Sequence, residues 1–326
     1  MNRLRVALLG CGGIAGRHAG AVRALGDRME LVGCVGRDPE RTAAFAREHG
    51  AEPFVDLDRM IGAQAPDLVV ATLPPYSRHG EIEHIASRGV HLLIEKPIAL
   101  DMEAATRMVD AVEASGVIAA IGFMYRFGDA VRRWRELDTG PVGIYVGGYY
   151  CNALHAHWWR KRELSGGQIL EQAIHQIDLI RHLVGEPDSA YARYANLFHG
   201  NVPDYDVEDI SATMFAWDDG RIASLTASNI GVPGIWHKEW TIMAQRMTGR
   251  FTSWNEAVLT RTEGEIGSET IAGDTDPFVA QLADVAGAIA EKRPPSIPIS
   301  EGAKTLRLAL AAVRSAQEKR EIRLAD

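Results

Sequence analysis

The chain has 326 residues, more than the roughly 100–200 residues of an ordinary domain, and this length predicts two domains. Apolar residue types make up 46% and charged types 24%, a balance that is typical of a globular protein with a sizeable core. The net charge of −8 argues against a protein that binds nucleic acids or anionic membranes, because phosphate binding needs a basic surface.

The chain contains three cysteines, Cys11, Cys34 and Cys151, and no Cys-x-x-Cys pair. An odd number of widely spaced cysteines is unlike a disulfide framework or a zinc ribbon and indicates a reducing compartment. The apolar stretch near the N-terminus is too short for a signal peptide, and no segment reaches the roughly 18 apolar residues that span a bilayer. We therefore expect a cytoplasmic protein.

Short apolar strands alternate with helices over the first 122 residues. The predicted strands are 4–9, 31–35, 68–71, 91–94 and 117–121, and the predicted helices end near residue 25 or span 39–48, 77–88 and 102–114. This alternation predicts an α/β domain with a doubly wound parallel sheet that is covered by helices on both faces.

The first strand ends in the segment GCGGIA at residues 10–15, directly before a helix. Gly10 and Gly12 permit a tight turn and a close approach of the backbone to a pyrophosphate, while the helix offers free N–H groups. Gly10, Gly12, Gly13 and Ile14 are therefore candidate dinucleotide-binding residues. The alternative is a simple glycine-rich connection.

The end of the second strand bears on the choice between NAD(H) and NADP(H). Gly36 stands where an NAD site usually has an acid for the ribose 2′-hydroxyl, and Arg37 follows it. A guanidinium suits a 2′-phosphate, so NADP(H) is favoured over NAD(H). Asp38 is the counter-evidence, because a shift of two residues restores an acid. Arg37 could also be a solvated loop charge.

Four further segments carry more specific motifs. They read TLPPYSRH at 72–79, EKP at 95–97, GFMYRF at 122–127 and GGQILEQAIHQID at 166–178. Together with the glycine loop they resemble the Gfo/Idh/MocA oxidoreductase family, named for glucose–fructose oxidoreductase and inositol dehydrogenase, over essentially the whole chain. The resemblance implies a Rossmann domain, residues 1–122, and an α+β domain, residues 123–326, with an open, mostly antiparallel sheet. A C-terminal helix could pack back on the first domain.

The same resemblance implies a nicotinamide cofactor and a sugar, cyclitol or related polyol as substrate. Lys96 would lie beside the nicotinamide and the reacting carbon, and the helix motif would supply Glu171 and His175. The motif segments add the cofactor-binding candidates Thr72, Leu73, Pro74, His79 and Glu95 and the substrate-binding candidates Tyr125 and Arg126. A cis Lys96–Pro97 bond is also implied. Glu171 stands where the family more often has Asp, and Ala173 where it has Gly.

The catalytic candidates suit the chemistry of alcohol oxidation. A base must take the hydroxyl proton while the cofactor takes the hydride, and histidine exchanges protons near neutral pH. Glu171, His175 and Asp178 recur at i, i+4 and i+7 of a predicted helix that Ser165 and Gln168 would cap. Glu171 would orient or share a proton with His175, and Asp178 would support the substrate site. The alternative is a solvated polar helix face.

The loop before this helix is aromatic and cationic. Trp158 or Trp159 could stack on the C–H face of a sugar, and Arg160 could bind hydroxyls or a carboxylate. A loop packed by tryptophans is the equal alternative. His155 and His157 form a His-x-His pair, but no carboxylate or cysteine ligand lies near them in the sequence, so we expect no metal.

The second domain has a strand-rich sequence. Its predicted strands are 144–150, 190–197, 210–217, 221–228, 239–244 and 250–254, and its predicted helices include 277–292 and 301–319. One sheet face would stay uncovered, with Trp217, Trp236, Trp240 and Trp254 near it. An exposed apolar face usually marks an interface, so we expect a homodimer or homotetramer through this sheet, as the resemblance suggests.

The leading hypothesis is therefore an NADP(H)-dependent oxidoreductase acting on a sugar, cyclitol or related polyol, with Lys96 and His175 handling the substrate oxygen. A glycoside hydrolase that retains NAD and acts through transient oxidation is an alternative, which Arg37 argues against. A cofactor-binding regulator without chemistry is another, against which Lys96 and His175 argue.

Overall fold

The computed structural model describes residues 3–152 and 156–324. Contacts divide the chain into two units. The first comprises Met1–Met124 and Asp276–Ala303, and the second comprises Tyr125–Thr275 and Lys304–Asp326. The single boundary that we predict after residue 122 lies close to the point, between Met124 and Tyr125, where the chain passes from the first unit to the second. The chain then returns to the first unit for the segment that begins at Asp276.

The first unit contains a six-stranded sheet in which every pair of neighbouring strands is parallel. Its elements up to the first crossing are β1 (Leu4–Leu9), α1 (Gly13–Ala24), β2 (Met29–Val35), α2 (Pro39–His49), β3 (Glu52–Phe54), α3 (Leu57–Gln64), β4 (Leu68–Ala71), α4 (Glu81–Ser87), β5 (His91–Ile94), α5 (Met102–Ser115) and β6 (Ala119–Ile121). The strand order is β3-β2-β1-β4-β5-β6, which confirms the predicted doubly wound sheet.

The second unit contains a nine-stranded sheet in the order β14-β13-β12-β11-β7-β10-β9-β8-β15. The remaining elements are α6 (Asp129–Glu136), β7 (Val142–Tyr150), α7 (Arg162–Ser165), α8 (Gln168–Glu171), α9 (Ile174–Val184), β8 (Ser189–Ala195), β9 (Ile210–Ala216), β10 (Ile222–Ser228), β11 (His237–Ala244), β12 (Met247–Phe251), β13 (Glu256–Arg261), β14 (Ser268–Ala272), α10 (Pro277–Glu291), α11 (Ile299–Glu318) and β15 (Ile322–Arg323). Only β7 and β10 pair in parallel, so the prediction of a mostly antiparallel sheet is confirmed.

The segment that returns to the first unit completes its core. α10 begins with Pro277 in its first turn, and the Asp276 carboxylate caps it by accepting from the Phe278 N–H at 2.9 Å. Phe278 and Leu282 on α10 join Val6 and Leu8 of β1 in one buried apolar cluster. The core of the parallel sheet is therefore built from sequence segments about 270 residues apart.

The nine-stranded sheet has one covered face and one exposed face. α9 is buried almost all round and packs on β7, where the Tyr145 hydroxyl donates to the Gln176 side-chain oxygen. The exposed face carries large apolar side chains from five strands, namely Val146, Met214, Ile222, Met243 and Val258. The expectation that Trp217 and Trp240 lie at this exposed face is wrong, because both are buried. Trp240 lies on the opposite side of β11 from the exposed Met243, and Trp217 follows the end of β9.

Within the described ranges, no helix combines the length and the apolar character that crossing a membrane requires.

Candidate active site

The glycine loop turns sharply between β1 and α1. Gly10 has a φ of 105°, a conformation that favours glycine, and its N–H donates to the Val35 carbonyl at 2.8 Å. A Cβ on Gly10 would lie 2.7 Å from the Thr72 Oγ1 atom. That hydroxyl donates to the carbonyls of Leu9 and Gly10, each at 3.1 Å. Thr72, at the end of β4, thus holds the loop in place.

The N-terminus of α1 is open. Gly12 is its N-cap and supplies no side-chain hydrogen bond, and no acidic residue lies in the first turn. A Cβ added at Gly12 or Gly13 would meet nothing within 4 Å, and Ile14 beside them is exposed. An uncapped helix end with free N–H groups and open space above two glycines suits a pyrophosphate. The residues present at this helix end therefore fit the pyrophosphate of a dinucleotide cofactor.

The end of β2 contains a steric reason for Gly36. A Cβ at this position would lie 2.2 Å from the Thr42 Oγ1 atom, and the buried Thr42 hydroxyl itself donates to the Asp38 carbonyl at 2.6 Å. The Asp38 carboxylate caps α2, accepting from the Arg41 N–H at 3.0 Å. Arg37 is exposed, and no side chain of the described residues forms an ion pair with it.

Two thiols lie together beneath this turn. The partly buried Cys11 Sγ is 3.6 Å from the Val35 carbonyl, and the buried Cys34 Sγ is 3.9 Å from the Thr42 carbonyl. A hydrogen bond from Cys34 lowers the pKa of the Cys11 thiol, against the opposing effect of burial; Thr42 and the charge of Arg41 add to the lowering. The hydrogen bond with Cys11, followed by burial, raises the pKa of the Cys34 thiol. All three cysteines of the chain are free.

The Lys96 turn follows β5 and contains a cis Lys96–Pro97 peptide, as the resemblance implies. The Glu95 carboxylate is buried; its Oε1 lies 2.7 Å from Nε2 of His18 on α1, and its Oε2 accepts from the Lys96 N–H at 3.2 Å. A Cβ at Gly122 would lie only 3.0 Å from Oε2. Glu95 thereby links the turn to the helix that follows the glycine loop, and the Lys96 side chain is partly buried beside it.

Arg78 braces the same turn from the other side. Its buried guanidinium donates to the carbonyls of Leu73, Glu95 and Ile98, each at 2.7 Å, and to that of Pro97. Burial lowers the pKa of Arg78 to about 10, against the opposing effect of Glu95. The motif-derived candidates beside it differ from one another: Leu73 and Pro74 are partly buried, whereas His79 is exposed and its N–H donates to Glu81.

In the second unit, the helix that we predict from Ser165 onward is interrupted. Ser165 ends α7 instead of capping a longer helix, and the side chain of Gln168 bonds Ser211 and the Asp209 carbonyl instead of completing a capping box. The Ala173 N–H donates to the Gln168 carbonyl at 3.0 Å, a π-type i→i−5 bond. Glu171 therefore belongs to α8 and His175 to α9, so the prediction of one continuous helix that carries both residues is wrong.

Glu171 and the aromatic loop meet directly. The Trp159 indole N–H donates to Oε2 of Glu171 at 2.8 Å, and Trp159 is buried with Tyr205 and Val207. Trp158 and Arg160 lie on the same 3-10 turn and are partly buried. His155 lies outside the described residues, and His157 is exposed and 3.0 Å from Asp204. Among the residues that the structure describes, no three His, Cys, Asp or Glu side chains gather as metal ligands.

His175 lies on an aromatic surface. Its ring stacks on that of Tyr125, with centroids 4.5 Å apart and planes 14° apart, and the Tyr125 ring lies 4.6 Å from Trp254. Burial raises the pKa of the Tyr125 phenol, and a hydrogen bond joins it to Tyr149, whose pKa burial also raises. Both phenols thus stay protonated near neutral pH and can donate hydrogen bonds.

Arg126 and Asp178, both substrate-binding candidates, bind each other. Nε and a terminal nitrogen of Arg126 donate to the two Asp178 oxygens at 2.8 and 2.6 Å, and both side chains are almost fully buried. The Thr305 hydroxyl donates to Asp178 at 3.2 Å. Burial raises the pKa of Asp178, and Arg126 opposes that shift. The pair anchors Tyr125 beside His175, since Arg126 is the next residue in the chain.

Several residues of this arrangement escaped sequence reasoning. His18 and Arg78 act through contacts across the fold. Arg78 lies within the TLPPYSRH motif, but its bonds to the Lys96 turn leave no mark in the sequence. Thr42 acts through a local bond to the Asp38 carbonyl and through its closeness to Gly36. Lys238 carries a weak signal. It alternates with Trp240 and Ile242 along one strand, which places a lysine on a buried face.

Comparison with known proteins gives a consistent result. Residues 4–123 match the model of the oxidoreductase family with an NAD-binding Rossmann fold, and residues 139–248 match the GFO/IDH/MocA C-terminal domain. A scyllo-inositol 2-dehydrogenase (NAD(+)) from Bacillus subtilis is 30% identical, over 70% of this chain and 68% of its own. A 2,7-anhydro-N-acetylneuraminate hydratase from Escherichia coli is 27% identical, over 74% of this chain and 64% of its own.

Solved structures share the fold. Levoglucosan dehydrogenase in complex with NADH and levoglucosan superposes with a TM-score of 0.91 at 20% identity, and the match covers 100% of both chains. The chain spans 52 to 64% of the length of the first curated relatives that it matches. With both domain models matched and a relative at 30% identity, the chain belongs to the Gfo/Idh/MocA family of oxidoreductases.

Proposed function

We propose that this protein is an NADP(H)-dependent oxidoreductase that transfers a hydride between the nicotinamide and a sugar, cyclitol or related polyol or ketone. The observation that carries the proposal is the contact between His18 and Glu95. It joins the helix of an open glycine loop to the turn that carries Lys96, within a unit that matches an NAD-binding Rossmann model. The named dehydrogenase relatives support the substrate class.

The cofactor supplies the chemistry of hydride transfer when it is bound. Gly10, Gly12, Gly13 and Ile14 bind the pyrophosphate at the N-terminus of α1. Thr72, Leu73, Pro74, His79 and Glu95 line or support the rest of the cofactor site. Of these, Thr72 and Glu95 act by holding the glycine loop and the Lys96 turn.

The proton is handled by this chain's own residues. The Lys96 ammonium donates to the substrate oxygen and stabilises the negative charge that develops there. His175 exchanges the hydroxyl proton, serving as base in oxidation and as acid in reduction. The ring of Tyr125 fixes the plane of the His175 imidazole, and the Arg126–Asp178 pair fixes Tyr125. Glu171, held by Trp159, orients His175 or shares its proton.

The substrate contacts come from the second unit. Trp158 and Arg160 are partly buried on the 3-10 turn that carries Trp159, so they can offer a ring and a guanidinium to a polyol. The phenols of Tyr125 and Tyr149 are protonated at neutral pH and are hydrogen-bond donors for hydroxyl groups. We infer a small polar substrate on this basis.

The preference for NADP(H) is supported by the end of β2. Thr42 occupies the space that an acid at position 36 would need, and the Asp38 carboxylate is committed to the start of α2. Arg37 and Arg41 are exposed there and can meet a 2′-phosphate. Arg37→Ala should weaken NADP(H) binding about 10- to 100-fold, the equivalent of one charge-assisted hydrogen bond, and leave NAD(H) binding unchanged. An equal effect on both cofactors would contradict the preference.

The activity is tested by screening NADP⁺ and NAD⁺ with sugars and inositols, and the reduced cofactors with their keto forms. Lys96→Ala and His175→Ala should each lower kcat by about 100-fold or more while cofactor affinity is retained. The exposed Lys304 and the partly buried His84 provide the matched controls Lys304→Ala and His84→Ala, which should leave kcat unchanged. Full activity of both site variants on the true substrate would refute the assigned roles.

A second candidate has one observation in its favour, the match to a hydratase. An enzyme of that kind, or a glycoside hydrolase that retains NAD, would show no net use of added cofactor. Two measurements separate this candidate from a dehydrogenase. Mass spectrometry of the purified protein detects a retained dinucleotide, and glycoside cleavage is assayed without added cofactor.

The exposed face of the nine-stranded sheet supports a homodimer or homotetramer. Val146→Lys on β7 or Met243→Lys on β11 should convert the assembly to monomers, which light scattering measures. The control variant is Ser224→Thr, at a partly buried β10 residue that pairs with Val146, and it should keep the assembly. A cytoplasmic location is consistent with three free thiols and is tested by cell fractionation.

A further inference from the structure

Lys238 lies on the buried face of a strand. It is the second residue of β11, and the next residues on its side of the strand, Trp240 and Ile242, are buried, whereas His237 and Glu239 on the other side are exposed. Burying an ammonium group costs free energy unless another group compensates the charge. A lysine in this position therefore calls for an explanation that packing alone does not give.

The surroundings of Lys238 are aromatic. Its Nζ lies 5.0 Å from the ring centroid of Tyr149, its partner across the β7–β11 pair, and 5.3 Å from that of Trp254. No carboxylate in the described part of the chain lies within ion-pair distance of Nζ. Burial lowers the pKa of Lys238, with the nearby Cys151 acting in the opposite direction. Two ring faces compensate the cation only in part, so it remains able to bind an anion.

This cation is connected to the catalytic candidates by a short series of contacts. Trp254 contacts Tyr125 at 4.6 Å, and Tyr125 stacks on His175 at 4.5 Å. Tyr149, the second ring near the ammonium, hydrogen-bonds to Tyr125. Lys238 and His175 therefore lie on one aromatic surface, with Tyr125 between them.

The Arg126 cation, next to Tyr125 in the chain, is already neutralised. Its guanidinium makes two hydrogen bonds to Asp178, at 2.8 and 2.6 Å. Of these two cations, Lys238 is therefore the one that an acidic ligand could pair with.

We propose that Lys238 binds an anionic substituent of the substrate, so that the substrate is a sugar or cyclitol that carries a carboxylate or a phosphate group. The inference rests on the proposed function and narrows its substrate class. The ammonium would bind the anion as a point charge, and Tyr149 and Trp254 would pack against the ring that bears it.

The test compares three probes of related shape: D-glucose, D-glucuronate and D-glucose 6-phosphate. Binding is followed without cofactor by the fluorescence of the tryptophans, since Trp254 contacts Lys238, and turnover is followed separately with NADP⁺. The wild type should bind at least one anionic probe roughly 10-fold more tightly than D-glucose, and the identity of that probe distinguishes carboxylate from phosphate.

Lys238→Met keeps the length and apolar stem of the side chain and removes its charge. It should weaken binding of the preferred anionic probe by about 10- to 100-fold and raise its KM without a comparable fall in kcat, while D-glucose is unaffected. Lys238→Arg should retain the preference for the anion. Lys304→Met, at an exposed position, controls for the change in net charge, and thermal unfolding checks that each variant is folded.

The two levels of the proposal fail in different ways. Binding that depends on Lys238 without any turnover would refute the dehydrogenase function and support the anion site. Turnover of an anionic probe with the same KM in the wild type and in Lys238→Met would support the function and overturn the inference. Absence of binding of both anionic probes to the wild type, or an unchanged preference in Lys238→Met, would also overturn it.

Discussion

The Nε2 atom of His18 lies 2.7 Å from Oε1 of Glu95, and both side chains are buried within the first unit. His18→Ala would leave a buried carboxylate without one of its partners, so the free energy of unfolding should fall by about 1–3 kcal/mol. The pair of His84 and Asp58 provides the control, because it has a similar distance of 2.8 Å but is exposed. His84→Ala should cost under about 1 kcal/mol. Urea denaturation measures both, and equal costs would contradict the importance of burial.

Arg78 should be a positioning residue for Lys96. Its guanidinium bonds four carbonyls on both sides of the turn, so Arg78→Met should leave those carbonyls unsatisfied and let the turn move. We expect kcat to fall at least about 10-fold, because misplacing a reacting group by an ångström is costly. Arg78→Lys cannot reproduce the fork and should recover only part of the loss. If a folded Arg78→Met protein kept the kcat of the wild type, the role of Arg78 in positioning Lys96 would be refuted.

Gly36 and Thr42 should be energetically coupled. A Cβ at position 36 would lie 2.2 Å from the Thr42 hydroxyl oxygen, so Gly36→Ala should lower the free energy of unfolding by about 1–3 kcal/mol. Thr42→Ala alone removes the hydrogen bond to the Asp38 carbonyl. The double variant should be more stable than the sum of the two single losses predicts, because the clash is absent. Additive losses in a double-mutant cycle measured by urea denaturation would refute the coupling.

Cys11 should be the most reactive thiol. Cys34 and Cys151 are fully buried, whereas Cys11 is partly exposed and the hydrogen bond from Cys34 lowers its pKa. A lowered pKa means that the thiolate forms at a lower pH than usual, so alkylation by iodoacetamide should already be fast below the usual thiol pKa of about 8.5. Burial raises the pKa of Cys151 to about 11, so that thiol should remain unmodified.

Mass spectrometry of alkylated peptides over a pH series measures this order. Cys34→Ala removes the hydrogen bond and should move the pH midpoint of Cys11 alkylation upward. Added NADP⁺ should slow the reaction, since Cys11 lies between Gly10 and Gly12. Alkylation of Cys151 before Cys11 would contradict the prediction that Cys11 is the most reactive thiol.

The sequence predicted most of the first unit because its strands are buried apolar runs between clear helix signals. It missed β3 and α3, which are short, and β3 is largely exposed, so neither produces a sustained hydrophobic period. It predicted one helix where α8 and α9 stand, because a single π-type hydrogen bond at Ala173 leaves no mark in the pattern of apolar residues.

The candidate site divides in the same way. Gly10, Lys96 and His175 could be predicted because each lies in a recognisable motif: the glycine loop, the segment EKP and the segment GGQILEQAIHQID. Arg126 and Asp178 were both predicted to bind substrate, and their mutual pairing depends on a contact between residues 52 positions apart. Lys238 carries only the weak signal of its alternation with Trp240 and Ile242, and its closeness to Tyr149 depends on the register of β11 against β7.

The first unit is built from two stretches of chain, and this has a consequence for protein engineering. Residues 1–124 alone would lack Phe278, Leu282, Val285 and Ala286, which contribute to the core cluster around β1. A cofactor module excised by one cut would expose that apolar surface to water. Exchange of cofactor specificity between relatives by domain grafting therefore needs a two-piece graft, in which a designed linker replaces the excursion from residue 125 to residue 275.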